Sequence, residues 1–397
     1  MLIGIVGKPN VGKSTFFCAA TLAPAEIADY PFTTIKPNKG VAYLRTRCPH
    51  LDLGVPCHPR NSACEKGVRL VPVELIDVAG LVPDAWQGKG LGNQFLDDLR
   101  QADALIHVVD SSGSTDAEGL PVTANSHDPM KDVKFLENEM DHWIKGILDK
   151  GWEKAAKQAH LEGEKVGELI YNKMTGLGMS MHHILAALRE ANLPEAPDSW
   201  TSDDLMKLSS LLRKYSKPMI IALNKADIAN DETLKRMAHI EHYMSIPTCS
   251  QSELALRRAA KGQLIEYLPG DEKIKVIDPA KLNPAQKKGI DYIQSHVMSK
   301  FNGTGVQQSL ETAAFKMLDL IPVYPVEDEH RWTDKSGNVL PDTHLVKRGA
   351  TARDLAYKIH TDLGENFIRA VNARTKRIVG ADYVLQEGDV ITIISKK

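Results

Sequence analysis

The sequence has no apolar run near the roughly 20 residues that a membrane-crossing helix needs, which excludes a helical membrane protein. Its first residues, "MLIGIVG", enter a motif at once and leave no room for a signal peptide. Cysteine is scarce and odd in number: five residues in a long chain without a secretory signal exclude a disulfide scaffold and imply reduced thiols in a cytoplasm. Neither sign of charge dominates. With 49 basic against 51 acidic residues the net charge is −2, so no bulk field draws the molecule to nucleic acid, and any such contact needs a local patch. Repeats and low-complexity tracts are lacking as well. What is there is ordinary for a globular chain, 43% hydrophobic and 25% charged, and 397 residues suffice for two or three domains.

Short, almost continuous apolar runs, "LIGIVG", "VELIDV", "ALIHVV" and "PMIIAL", are bounded by polar or turn residues. Such runs suit strands covered on both faces, as in a doubly wound, mostly parallel α/β sheet. The run from Gly40, "GVAYLRT", alternates and reads as an edge strand. Between Asp110 and Asn224 the pattern becomes helical. Val133, Leu136, Met140, Ile144 and Ile147 share one helix face. Further helices are expected after Trp152, over Met181 to Asn192, and from Thr201, which can cap with Asp204 in the reciprocal position. This stretch, 126–216, reads as an inserted helical subdomain with coiled-coil-like pairing whose helices serve packing. Helical signal returns from Asn283 to Leu320. Pro322, Pro325 and the acids after them then mark a boundary to a small mixed module with strand-like "VYPV", a helix in "ARDLAYKIHTDL", then "FIRAVN" and "DVITII".

The chemistry begins at "GKPNVGKS", Gly7 to Ser14, which fits the phosphate-loop spacing and sits between a strand and a helix. Backbone N–H groups of such a loop cradle the phosphates, and Gly7 and Gly12 let the backbone approach, with Asn10, Val11 and Thr15 completing the loop and helix start. Lys13 is expected on the β- and γ-phosphates and Ser14 on Mg²⁺. Four more elements follow in order. "YPFTTIKPNKG" offers Thr33 and Thr34 to close on Mg²⁺ and the γ-phosphate; Thr34 is preferred because its spacing to Gly40 resembles that of related switch loops. "DVAG" places Asp77 near Mg²⁺ and the Gly80 N–H at the γ-phosphate. "NKAD" supplies Asn224 for the N7 edge, Lys225 for the base plane and Asp227, whose carboxylate can accept two hydrogen bonds from guanine and reject adenine. "PTCSQSEL" offers the N–H of Ser250 or Gln251 to guanine O6, the loosest match of the set.

Together with "GKGLGNQFLDDLRQADALIHVVD" and the tail "TARDLAYKIHTDLGENFIRAV…LQEGDVITI", these motifs resemble the Obg-related, YchF-like GTPases with a C-terminal TGS domain. The intact "NKAD" departs from YchF proper, which the resemblance associates with ATP, and favours GTP and the archaeal-type branch. The resemblance implies a P-loop G domain over 1–125 plus 217–318, the helical insert, and a TGS domain over 319–397. It also implies Leu81 where other switches keep a glutamine, and a link to ribosomes and translation. The expected reaction is GTP + H₂O → GDP + phosphate with low intrinsic turnover, Lys13, Thr34 and Gly80 acting by position and charge. The competing readings are a slow GTP-binding switch read by a partner and a YchF-like ATPase.

Three weaker constellations remain. Asn10 can help hold K⁺ beside the phosphates or can simply serve the turn after Pro9. Cys48, His50, Cys57, His58 and Cys64 carry zinc-ligand chemistry, but the spacings are irregular and lack a CxxC pair, so an exposed loop with free thiols is expected and zinc is not. In the tail, Lys347–Arg348, Arg353, Lys358, Arg369, Arg374 and Lys376–Arg377 form the local basic candidate for an RNA or ribosome contact, a reading to which the TGS resemblance adds weight.

Overall fold

The first strand, β1 (Leu2–Val6), is buried at all positions and leads through the glycine loop into the helix Lys13–Thr21. It lies inside a seven-stranded sheet with β2 (Lys39–Arg47), β3 (Ala63–Glu65), β4 (Val68–Asp77), β5 (Ala104–Asp110), β6 (Met219–Asn224) and β7 (Ser245–Pro247). The order is β2-β4-β1-β5-β6-β7, with β3 hairpinned onto β4. Pairs β1·β4, β1·β5, β5·β6 and β6·β7 are parallel. Every residue of β5 and β6 is buried, as near-continuous apolar runs require, and the alternating β2 takes the edge. The computed structural model describes residues 1–22, 38–78, 80, 86 and 92–396, without the side chains of 92–94, 96 and 97.

The chain divides into two units. The first holds Met1–Pro24, Ile35–Gly40 and Glu74–Ser309, the second Val41–Val73 and Leu310–Lys397. In the first, five helices lie between β5 and β6: Pro129–Asp149, Trp152–Glu162, Val166–Met174, Met181–Ala191 and Ser202–Ser216. Thr201 and Asp204 cap the last reciprocally. Pro129–Asp149 buries Val133, Leu136, Met140 and Ile144 with Leu148, while Ile147 is only partly covered, and these residues share one apolar core with the sheet. Arg213 on the last of these helices pairs with Asp141 (2.6 Å), both side chains largely buried, and with Glu137 (3.2 Å). A two-residue ladder, β8 (Ile265–Glu266) with β9 (Lys275–Val276), follows.

The second unit carries a sheet ordered β11-β10-β14-β12-β13, built from β10 (Leu320–Val326), β11 (His344–Lys347), β12 (Phe367–Asn372), β13 (Arg377–Val379) and β14 (Val390–Ser395). The helix Ala352–Ile359 packs on it through Leu355, against Ile321, Val323, Val346 and Ile391. Two prolines survive inside β10 because its ladders are staggered. β11 pairs with Leu320–Val323 and β14 with Tyr324–Val326. The Tyr324 N–H points to the β14 side (Asp389 O, 2.8 Å). By alternation Pro322 lacks its N–H on that side before β14 pairing begins, and Pro325 lacks it on the other after β11 ends.

Candidate functional site

Five strand ends converge at the carboxyl edge of the parallel sheet, where open α/β sheets place ligands. After β1, Gly7 adopts φ +145° and Gly12 φ +99°; a Cβ would run into the Val108 carbonyl at the first and Asn224 Nδ2 at the second. Asn10 is also left-handed, φ +59°, and its amide donates to the Gly119 carbonyl at 2.9 Å, so its side chain serves the turn and tethers the loop. Val11 is buried, Thr15 half-buried in the first turn of the following helix. The Lys13 ammonium donates to the Lys8 carbonyl (2.8 Å), and a Cβ placed on Gly80 would lie 3.2 Å from it. Burial lowers the Lys13 pKa, with the Asp77 charge opposing. Ser14 Oγ donates to Asp77 Oδ2 at 2.9 Å, while Asp77 Oδ1 is buried without a hydrogen-bond partner among the described residues. Burial raises the Asp77 pKa against the Ser14 bond and the Lys13 charge.

The other wall comes from β6 and β7. Asn224, 4% exposed, donates to the Val11 carbonyl (2.8 Å) and accepts from the Ser250 N–H (3.0 Å), so one amide joins all three loops. The Ser250 N–H is thereby engaged, and of the two candidates for guanine O6 only Gln251, next in the helix Ser250–Lys261, is not held by Asn224. Lys225 has φ +59° and reaches Asp110 at 2.8 Å and Ser114 at 3.2 Å. Burial of Asp110 is outweighed by the bonds from Lys225 and Ser112, so its pKa falls. The Asp227 carboxylate accepts from the Tyr292 hydroxyl at 3.2 Å, and the Tyr292 ring stacks on His296 (4.5 Å). Thr33, Thr34 and Leu81 lie outside the described residues.

Sequence reading passed over several of these groups. Lys8, 2% exposed, donates to the Thr115 carbonyl at 3.0 Å and pairs with Asp132 at 2.8 Å on the helix Pro129–Asp149; His127 meets the same carboxylate at 2.7 Å. Asp110 and Tyr292, too, sit far in sequence from the residues they hold. Only Asp110, closing an apolar run, carried a signal: acids ending buried strands face the carboxyl edge. His107 on β5 is buried, and desolvation followed by the Lys13 and Lys8 charges lowers its pKa to about 3.

In the second unit the tail's basic residues divide. Arg374 is committed to Asp52 (2.6 Å) and Arg348 to Asp319 (2.9 Å), and Arg353 donates to the Gly364 carbonyl. Among the described residues Lys347, Lys358, Arg369, Lys376 and Arg377 are exposed and form no ion pair, the last three on the β12–β13 hairpin beside exposed Ile368 and Ile378. In the cysteine loop the thiols are free and Leu51, Val55, His58 and Arg60 are exposed, as expected, but Cys48 is fully buried, and Cys48, His50, Cys57 and Cys64 each bring one ligand atom within 4.8 Å of the others. His58 is not among them.

Three family models match the chain. The family of 50S ribosome-binding GTPases matches residues 2–145, the G4-motif-containing domain of YGR210-like Obg-like GTPases matches 222–328, and the TGS domain matches 335–395. A GTP-binding protein of Methanocaldococcus jannaschii is 53% identical over 99% of both chains. A ribosome-binding ATPase YchF of Pasteurella multocida is 30% identical over 98% of this chain and 97% of its own. The chain belongs to the YchF-like, Obg-related GTPase family. Within this family, the crystal structure of a GTP-binding protein from Pyrococcus horikoshii covers 100% of both chains with a TM-score of 0.79 at 45% identity. The Schizosaccharomyces pombe YchF GTPase shares the fold, with a TM-score of 0.59 at 20% identity over 99% of this chain and 97% of its own. Among the described residues no helix of this YchF-like protein is long and apolar enough to cross a membrane.

Proposed function

We propose that the chain is a guanine-nucleotide switch that hydrolyses GTP slowly and works with the ribosome or its RNA. The observation that carries the reading is Asn224, which ties the phosphate loop at Val11 to the base-side loop at Ser250 and sets Asp227 three residues on. Asp227 is the specificity element: a carboxylate that accepts two guanine donors is left unpaired by adenine. The residues also fit Mg²⁺. Ser14 Oγ and the Asp77 carboxylate are hard oxygens 2.9 Å apart, one Asp77 oxygen buried without a partner among the described residues. Ser14, Asp77 and, on this reading, Thr34 hold the ion, which when bound neutralises charge on the β- and γ-phosphates.

The protein's own groups then act by position. Lys13 carries its charge to the β- and γ-phosphates, where burial strengthens it, and the Gly80 N–H donates to the γ-phosphate. Leu81 has no atom that can orient water, so turnover rests on these groups and stays low. Asn10, bound through its amide nitrogen, keeps its carbonyl oxygen for K⁺ if the cation takes part. The free Arg369, Lys376 and Arg377 are the proposed RNA-facing patch, at home in a TGS domain. A second reading, ATP use, is favoured by the Pasteurella relative, a ribosome-binding ATPase. Calorimetric titration of GDP against ADP separates the two: GDP bound tightly and ADP weakly supports the proposal, and equal affinities remove Asp227 as the base reader.

A further inference from the structure

The loop between β2 and β3 gathers four metal-ligand atoms in a geometry that its irregular spacing conceals. Cys48 follows directly on β2, His50 opens the short helix His50–Leu53, Cys57 lies in the loop beyond it, and Cys64 is on β3. The Cys48 and Cys57 sulfurs are 3.8 Å apart, and His50 Nδ1 is 3.4 Å from the Cys57 sulfur and 3.5 Å from that of Cys64. A tetrahedron with Zn–S of about 2.3 Å and Zn–N of about 2.0–2.1 Å has S···S edges of about 3.8 Å and S···N edges of about 3.6 Å. A disulfide needs about 2.05 Å. These three separations match the edges of a coordination shell, and all four ligand atoms lie within 4.8 Å of one another.

Charge balance points the same way. Three thiolates around a divalent ion leave one negative charge. Arg69 lies directly opposite Cys64 in the β3–β4 ladder, and directly opposed residues share a face of the hairpin. It is fully buried, and no carboxylate pairs with it among the described residues; it donates to Ser62 Oγ (3.1 Å) and the Leu340 carbonyl (2.7 Å) and lies over the Tyr324 ring. A buried guanidinium without an acidic partner is costly unless a nearby anion compensates it, and the anionic ligand set is that partner.

We propose that Cys48, His50, Cys57 and Cys64 bind one structural Zn²⁺. Four protein ligands close the shell, so the ion has no open position for catalysis. Its role follows from what the loop carries. The His58 N–H donates to the Val339 carbonyl (2.8 Å), the Arg60 N–H to the Pro341 carbonyl (2.7 Å), and Asn61 exchanges two bonds with Thr343 (2.9 and 2.8 Å). Cys48 packs with Tyr324, Trp332 and Leu340 in one apolar cluster. The metal therefore fixes the loop that holds residues 332–343 of the same unit.

The test uses the full chain purified without chelator. Elemental analysis is expected to find one zinc per chain, kept in Cys18→Ser and lost in both Cys57→Ser and Cys64→Ser. Replacement by Co²⁺ in the wild type is expected to give the intense visible bands of a tetrahedral site with strong sulfur-to-cobalt charge transfer, a readout that stands if the variants do not fold. Hydrogen exchange at residues 332–343 should accelerate on chelation while GDP affinity stays unchanged. Metal-free protein with reactive thiols, a Cys48–Cys57 disulfide, zinc retained in both serine variants, or an octahedral cobalt spectrum would each overturn the assignment.

Discussion

Replacing Asn224 with alanine perturbs three loops through one side chain. Asn224 is 4% exposed, and its two partners, the Val11 carbonyl and the Ser250 N–H, belong to residues 0% and 1% exposed. Truncation strands both, and a buried backbone group left unpaired costs about 1–3 kcal/mol, so Asn224→Ala is expected to lose about 2–6 kcal/mol of stability. The Gly12 backbone, packed against the same amide, loses its wall. Urea unfolding followed by circular dichroism gives the stability and fluorescent-GDP titration the affinity, which should weaken at least about tenfold, or ~1.4 kcal/mol. Because GDP stabilises the folded state, unfolding is measured nucleotide-free. A loss under about 1 kcal/mol with unchanged slope, or unaltered GDP affinity, would refute the idea that this amide couples the phosphate and base sides.

Other outcomes follow from the same geometry. Asp227→Asn should lose GTP and gain xanthosine triphosphate, read by competition binding; retained GTP preference would contradict the base-reading role. Asp132→Ala strands Lys8 in the interior and should cost about 3–5 kcal/mol in urea unfolding, far more than a surface carboxylate. His107, whose folded pKa is lowered to about 3 from an unfolded value of about 6.5, stays neutral in the fold while the unfolded chain takes up a proton. Its contribution to stability is full above about pH 6.5 and falls by up to about 1.4 kcal/mol per pH unit toward pH 3; His107→Gln should flatten that slope. Lys376→Glu with Arg377→Glu should weaken and desensitise to salt the sedimentation of the protein with ribosomes while GDP affinity is unchanged; undiminished, equally salt-dependent sedimentation would remove the hairpin from the contact.

The sheet was legible because its strands are buried on both faces: "ALIHVV" and "PMIIAL" have no other comfortable place, and β5 and β6 are buried throughout. The Thr201–Asp204 capping box and the edge position of "GVAYLRT" were equally local signals. Local spacing also located the phosphate loop and "NKAD". It could not pair Lys8 with Asp132, bring Tyr292 to Asp227, or spend the Ser250 N–H on Asn224, because each contact joins segments that only the tertiary fold brings together. The clustering of the cysteine loop was hidden for a related reason. A CxxC pair is one local route to such a cluster; here residues from a strand end, a helix start, a loop and a hairpin each bring one candidate ligand atom to it, and spacing carries no trace of that.

The central claim is turnover of GTP by Lys13 and its neighbours without a glutamine-type water positioner. Steady-state phosphate release, measured with GTP and with ATP in matched K⁺ and Na⁺ buffers on the wild type, Asn10→Ala, Leu81→Ala and Lys13→Ala, tests it most directly. The account predicts slow release that favours GTP, rises with K⁺ through Asn10, scarcely changes in Leu81→Ala and disappears in Lys13→Ala. Equal rates in the two salts would discard the cation alone. Release from ATP at the GTP rate, a collapse in Leu81→Ala, or persistence in Lys13→Ala would contradict the account itself.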